Sequence, residues 1–322
     1  MNLKKSKPIV MGYASLLVLF FHFLPTINAN YFFGILLNFY KNTAYIGVDI
    51  FFFLSGYMLM FSDTNNFFIF FKKKLLKTYP LFIIFTFIFA LLNHLAIIKI
   101  VRILGLVDIF ISGGSSFLWF IQALILLYIL GFLYKKILKK YNEHLVLLLT
   151  IIIYMSIMIL LNTYTNNHSA NIFLARIPIF LLGLNFSKYE NKVNDNKIYT
   201  FIILFIIGLF LLFFFGYQNK LNYPFQDFYY ITAIPMSLSL IMFIDFLDSY
   251  FKFKILNFLG KITLELYAVQ MTFGFLLLRG YINLFKNIYI SSFMTIISVV
   301  FFSYVIHLIY YRIIKINDIK KL

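Results

Sequence analysis

Ten runs of roughly twenty apolar residues recur along the 322-residue chain, at about 8–27, 43–62, 79–97, 116–134, 145–162, 171–187, 198–217, 228–247, 259–279 and 289–311. A bilayer's hydrocarbon core, ~30 Å thick, takes ~20 helical residues to cross. A helix also satisfies its own backbone N–H and C=O groups where no water can. The pattern therefore predicts an all-α, polytopic membrane protein of about ten transmembrane helices. Composition removes the alternatives. Charged residues make up 12% of the chain, half the ~25% of an ordinary soluble domain. There is no cysteine, hence no disulfide, thiolate nucleophile or Cys-type zinc site. The hydrophilic gaps are short, so residues 1–322 are expected to form a single integral-membrane domain with no soluble domain. No fixed-period repeat supports a repeat-built transporter.

A net charge of +17 would suggest nucleic acid in a soluble protein. Here its distribution sets orientation. Lys4, Lys5 and Lys7 precede the first span. Lys72, Lys73, Lys74 and Lys77, then Lys135, Lys136, Lys139 and Lys140, fall on the same side. So do Lys188, Lys192 and Lys197, then Lys252, Lys254 and Lys261, and finally Arg312, Lys315, Lys320 and Lys321. The other side holds Lys41, Lys99, Arg102, Arg176, Lys220, Arg279 and Lys286. Cytoplasmic loops collect Lys and Arg, which puts both termini in the cytoplasm. The segment with Lys99 and Arg102 is expected to lie in the interface. The first 29 residues have the outline of a signal peptide, but their apolar run is long for one, and a retained span is expected.

Ionisable groups at membrane depth are costly and mark candidate sites. His22, five residues before the outer end of the first expected span, and Asp49, six residues after the start of the second, fall ~8–9 Å below the outer surface at 1.5 Å per residue. Arg176 enters the sixth span from the same side. Trp119 and Gln122 open the fourth, Asp227 and Arg279 border the same face, and Glu265 and Gln270 sit lower in the ninth. Each has a purely structural reading: a core histidine, an Asp49–Arg176 ion pair, amides bridging helices, an interfacial tryptophan. These residues alone say polar intramembrane site, in a transporter or an enzyme.

Several segments resemble one family. Gly47-Val48-Asp49-Ile50-Phe51-Phe52-Phe53-Leu54-Ser55-Gly56-Tyr57 is similar to the second-span signature of the membrane-bound acyltransferase-3 family. His22 closes the first span as the family histidine does. Lys74-Leu75-Leu76-Lys77-Thr78-Tyr79-Pro80 resembles its R-x-x-R-I-(Y/W)-P loop, with Lys for both Arg. Leu118-Trp119-Phe120-Ile121 through Tyr128 resembles its L-W-F span, and Arg176 to Gly183 its R…F-x-x-G span. Leu259-Gly260-Lys261-Ile262-Thr263-Leu264-Glu265-Leu266-Tyr267 resembles its penultimate span. The chain differs at Met11, where the family usually carries Arg, and at Gln270, where it often carries His.

The resemblance implies acyl transfer, with acetyl expected, from cytoplasmic acyl-CoA to a hydroxyl of an extracytoplasmic or lipid-linked surface polysaccharide. Capsule or exopolysaccharide is the expected acceptor. His22 would be the base, Asp49 would orient it, and Arg176 or Gln122 would stabilise the oxyanion. Lys73, Lys74 and Lys77 would hold the CoA phosphates. Trp119, Glu265 and Gln270 would contact substrate. No permanently bound cofactor, metal or nucleic acid is expected. The expected partners are acyl-CoA, the carbohydrate acceptor, the lipid bilayer and a polysaccharide synthesis or export machinery, in a bacterial cell membrane. The alternative is a transporter or flippase, or a non-catalytic accessory protein of polysaccharide export.

Overall fold

The computed structural model describes residues 3–26, 32–62, 66–112, 116–164, 168–195, 197–217 and 229–319. Among them helices are the only regular structure. In order these are α1 (Leu3–Phe23), α2 (Phe32–Thr43), α3 (Ile46–Met60), α4 (Phe67–Leu92), α5 (Ile97–Leu104), α6 (Asp108–Ile111), α7 (Trp119–Lys140), α8 (Glu143–Tyr164) and α9 (His168–Ala175). They continue with α10 (Ile177–Asp195), α11 (Lys197–Leu211), α12 (Tyr229–Thr232), α13 (Ile234–Asp248), α14 (Lys254–Lys261), α15 (Thr263–Val269), α16 (Phe275–Phe285) and α17 (Ile288–Ile319). Among the described residues, nine helical stretches are long and apolar enough to cross a membrane. The shorter apolar stretch His144–Leu160 of α8 occupies the expected fifth span. The protein is an all-α polytopic membrane protein.

Several boundaries differ from expectation, each for a local reason. α1 ends at Phe23 rather than near residue 27, because Pro25 follows and cannot continue a helix. The stretch expected as a loop over 63–78 is helical from Phe67, so Lys72 to Lys77 lie on the first turns of α4. Asn66 starts that helix by accepting from the N–H groups of Phe68 and Ile69 at 2.9 and 3.3 Å. Asn142 and Asn287 do the same for α8 and α17. Such caps satisfy donors that have no partner within the helix. The interfacial segment is the short helix α5, with Ile97, Ile98 and Val101 exposed.

The second expected span, 43–62, is α3; the helix α2 before it was not expected, and the two join at Ala44–Tyr45 within one apolar stretch, Gly34–Met60. The sixth is broken between α9 and α10 at Arg176, and the eighth between α12 and α13 at Ala233. Pro178 and Pro235 sit at the second positions of α10 and α13. Each lacks the N–H that would bond back across its break.

The chain divides into two compact units. The first holds Met1–Lys5 and Val48–Tyr250, the second Ser6–Gly47 and Phe251–Leu322. In the first unit, α3 and α10 cross at two glycines. A Cβ on Gly56 would fall on the Phe180 carbonyl, and one on Gly183 on the Phe53 carbonyl. Only Gly permits that approach, the usual device where helices pack inside lipid. Lys135 of α7 donates to the carbonyls of Leu59, Met60 and Ser62 at 3.3, 2.9 and 2.7 Å. It thereby closes the end of α3, whose last carbonyls have no helical donor. In the second unit, α15, the π-helical segment Gln270–Gly274 and α16 form one span that packs on α17.

Candidate functional site

The first unit carries a buried charge pair at its helix breaks. Arg176 occupies the α9/α10 junction and Asp49 the first turn of α3. Arg176 Nη1 donates to Asp49 Oδ1 at 2.8 Å, with both side chains no more than 2% exposed. The guanidinium lies 4.1 Å from the ring centroid of Tyr230, beside the α12/α13 break. Three discontinuous helices thus converge on one cation. Asp49 Oδ2 and the Tyr154 hydroxyl are buried and have no hydrogen-bond partner among the described residues. Asp49 lies seven residues before Gly56, and Arg176 seven before Gly183. Both sit two turns from the glycine crossing, which fixes the spacing of their backbones.

Trp119 and Gln122 lie in the first turns of α7, after Leu118, which adopts φ 52°. A left-handed leucine is uncommon and sits where surrounding structure enforces it. Gln122 is fully buried. Its Nε2 donates to Ser116 Oγ at 2.9 Å and to the Phe117 carbonyl at 2.8 Å. Ser116 Oγ donates to Asp108 Oδ2 at 2.6 Å, and Lys99 Nζ lies 2.8 Å from Asp108 Oδ1. Both amide protons of Gln122 are therefore committed. The atom left without a partner among the described residues is Oε1, an acceptor. Trp119 is half-buried beside the Phe52 ring, 6.3 Å between centroids.

In the second unit, the His22 ring stands edge-on to Phe275 at 5.9 Å. Phe275 is twelve residues into the span Thr263–Phe285. His22 itself is the penultimate residue of α1, at the end of its span rather than five residues inside it, because the helix stops at Phe23. Gln270 is buried and opens the π-helical segment Gln270–Gly274. Such insertions recur at functional sites. Glu265 is buried, and its Oε1 lies 2.8 Å from His307 Nδ1 on α17.

Of the expected residues, the structure brings Asp49 to Arg176 and sets Trp119 and Gln122 one turn apart. Glu265 takes His307 as its partner. Asp227 and Lys220 lie outside the described residues. Sequence reasoning missed Tyr230, Tyr154 and His307. Only His307 left a signal: it lies three residues from the end of the last span, where Glu265 lies two from the start of the one before.

A family model described as an acyltransferase domain matches residues 12–312. The chain belongs to this acyltransferase family. Neither a curated protein nor a solved structure matches it significantly. Three features of the acyltransferase signature acquire a physical meaning here. Asp49 is the partner of Arg176, Ser55 hydrogen-bonds Tyr128, and Gly56 is the point of contact with α10. In the Lys-x-x-Lys-Thr-Tyr-Pro segment, Lys74 Nζ lies 4.8 Å from the Tyr128 ring centroid, while Lys73 and Lys77 are exposed one turn apart. The Tyr79 hydroxyl donates to the Leu104 carbonyl at 2.7 Å and ties α4 to α5.

Proposed function

We propose that this membrane acyltransferase moves an acyl group, acetyl being the expected one, from cytoplasmic acyl-CoA to a saccharide hydroxyl on the opposite side. Family membership over residues 12–312 carries this reading. The buried side chains supply chemistry that suits it. A sugar hydroxyl needs a base within hydrogen-bond reach, and His22 takes that role. The hydroxyl oxygen bonds to the thioester carbonyl carbon as its proton passes to His22. The C–S bond then breaks with its electron pair on sulfur, and the CoA thiolate takes up the proton that left the hydroxyl, which returns His22 to its neutral form. Arg176 stabilises the oxyanion, and Asp49 holds Arg176 in place. Gln122, with both N–H groups committed, accepts from a substrate hydroxyl through Oε1. Lys73, Lys74 and Lys77 attract the CoA phosphates as point charges. Trp119, Gln270 and Glu265 contact substrate. No permanently bound cofactor takes part, and the setting is a bacterial plasma membrane, beside polysaccharide synthesis or export machinery.

One observation favours a second reading. Discontinuous helices around a buried charge are also how transporters build midplane sites. The deciding experiment uses purified full-length protein in nanodiscs with acetyl-CoA and a surface-polysaccharide oligosaccharide. Acceptor-dependent release of free CoA, with an ester on the saccharide, supports acyl transfer. Saccharide movement across proteoliposomes without CoA release supports the transporter or accessory reading.

A further inference from the structure

Most of the surface of α8 faces outward: Leu148, Ile152, Ile153, Ile157 and Leu160 are exposed. One stripe turns inward. Val146, Tyr154 and Met158 are buried and Thr150 is half-buried, at the four-residue spacing that lines one helix face. The Thr150 hydroxyl donates to the Val146 carbonyl at 2.7 Å, and the side chains of Val146 and Met158 demand no bond. Tyr154 does. Its hydroxyl is buried and has no hydrogen-bond partner among the described residues.

A tyrosine in a membrane helix ordinarily turns its hydroxyl to the headgroups. Tyr154 lies eleven residues from Glu143 and ten from Tyr164, about 15 Å of helix from either end, half of the ~30 Å hydrocarbon core. Neither surface is within reach of the ring. Phenylalanine, used 44 times in the chain, would fill the same space, and a buried hydroxyl without a bond lowers stability. Packing alone therefore favours Phe at this position.

The surroundings supply a reason for the hydroxyl. α8 packs on α9, and Arg176 is the residue that follows α9. Tyr154 lies within electrostatic reach of that guanidinium. Asp49 holds Arg176 through Nη1, and the Tyr230 ring lies against it. Asp49 Oδ2 is the second buried oxygen here with bonding capacity to spare.

We propose that Tyr154 is a second donor to the oxyanion, beside Arg176. The inference rests on the acyl-transfer reading and adds a catalytic residue to it. As the saccharide oxygen bonds to the thioester carbon, the carbonyl π pair moves onto oxygen. The Tyr154 hydroxyl donates a hydrogen bond to that oxygen, and Arg176 faces the same charge. When the C–S bond breaks, the pair returns to the carbonyl. The Tyr154 O–H bond stays intact throughout, and the proton of the attacking hydroxyl still passes through His22 to the thiolate. A donor already held in place at low dielectric needs no reorganisation as the charge develops.

The test is Tyr154→Phe in the full-length protein in nanodiscs, with acetyl-CoA and the surface-polysaccharide oligosaccharide. Turnover should fall about 100-fold, as when one oxyanion donor is removed, with the KM for acetyl-CoA little changed. The melting temperature should stay level or rise, since the substitution removes a buried hydroxyl that has no bond to lose. A second readout needs no acceptor. In the infrared, the carbonyl band of bound [1-13C]acetyl-CoA should lie below its frequency in water, and Tyr154→Phe should move it part of the way back. Unaltered turnover, or a lower melting temperature with an unmoved carbonyl band, overturns the proposal; the latter makes the hydroxyl structural. Wild-type transfer with undiminished turnover in Tyr154→Phe removes Tyr154 and leaves acyl transfer standing. A carbonyl band that responds to Tyr154→Phe, with no ester formed on the saccharide, keeps Tyr154 and removes the saccharide acceptor.

Discussion

Asp49 Oδ1 and Arg176 Nη1 meet at 2.8 Å, each two helical turns from the glycine on its own helix that lets α3 and α10 touch. Removing one member of a buried pair strands the other, at a cost of about 3–5 kcal/mol. Arg176→Ala and Asp49→Ala should therefore each lower the melting temperature of the purified protein sharply. The double variant should lose less than the sum of the two. Strict additivity in that double-mutant cycle would show that the two charges do not act as a pair.

The glycine crossing makes a contrasting prediction. Gly56→Ala and Gly183→Ala each put a methyl group on a carbonyl, an overpacking that costs about 1–3 kcal/mol or more. Gly280→Ala faces open space and should stabilise α16 by about 0.5–1 kcal/mol. Thermal unfolding followed by size-exclusion chromatography ranks the three. A harmless Gly56→Ala would mean that the helices do not approach as described.

His22→Ala should abolish ester formation while the protein still expresses and melts normally, because among the described residues the ring's contacts are aromatic side chains. Ester formation at the unaltered rate would remove His22 from the chemistry.

Lys74→Ala with Lys77→Ala should raise the apparent KM for acetyl-CoA about tenfold, equivalent to ~1.4 kcal/mol of lost binding, with kcat little changed. The wild-type KM should rise with ionic strength, as contacts between exposed charges do. An unchanged KM would leave these lysines with orientation alone.

The sequence made the spans legible because the bilayer imposes a length that apolar runs reveal directly. Local backbone events were harder to see. Pro178 lies beside the break at Arg176, but nothing comparable marks Ala44–Tyr45, so the second span was expected to start at 43 rather than at Ile46, with Asp49 six residues in rather than on the first turn. Residue counting placed His22 by depth alone, and Pro25 ended the helix earlier than counting assumed. Tyr230 and Tyr154 escaped because an aromatic in an apolar run looks the same whether it faces lipid or a guanidinium. The Glu265–His307 pair was within reach, since a buried carboxylate needs a partner and His307 ends the adjoining span at the matching level. Gln122 shows a different limit: its burial was expected, but which end of its amide is already spoken for depends on Ser116 and Phe117, and only coordinates give that.

The break at Ala44–Tyr45 has one more consequence. A helix that begins inside the bilayer brings its positive end with it, roughly half an elementary charge in the first turn. Asp49 lies on that turn. Mutagenesis can delete the carboxylate or the guanidinium, but the peptide N–H groups of α3 remain. The region around position 49 therefore keeps its attraction for an anion in variants that have lost every charged side chain there, and a residual activity or a misplaced anion in such variants is what the backbone itself supplies.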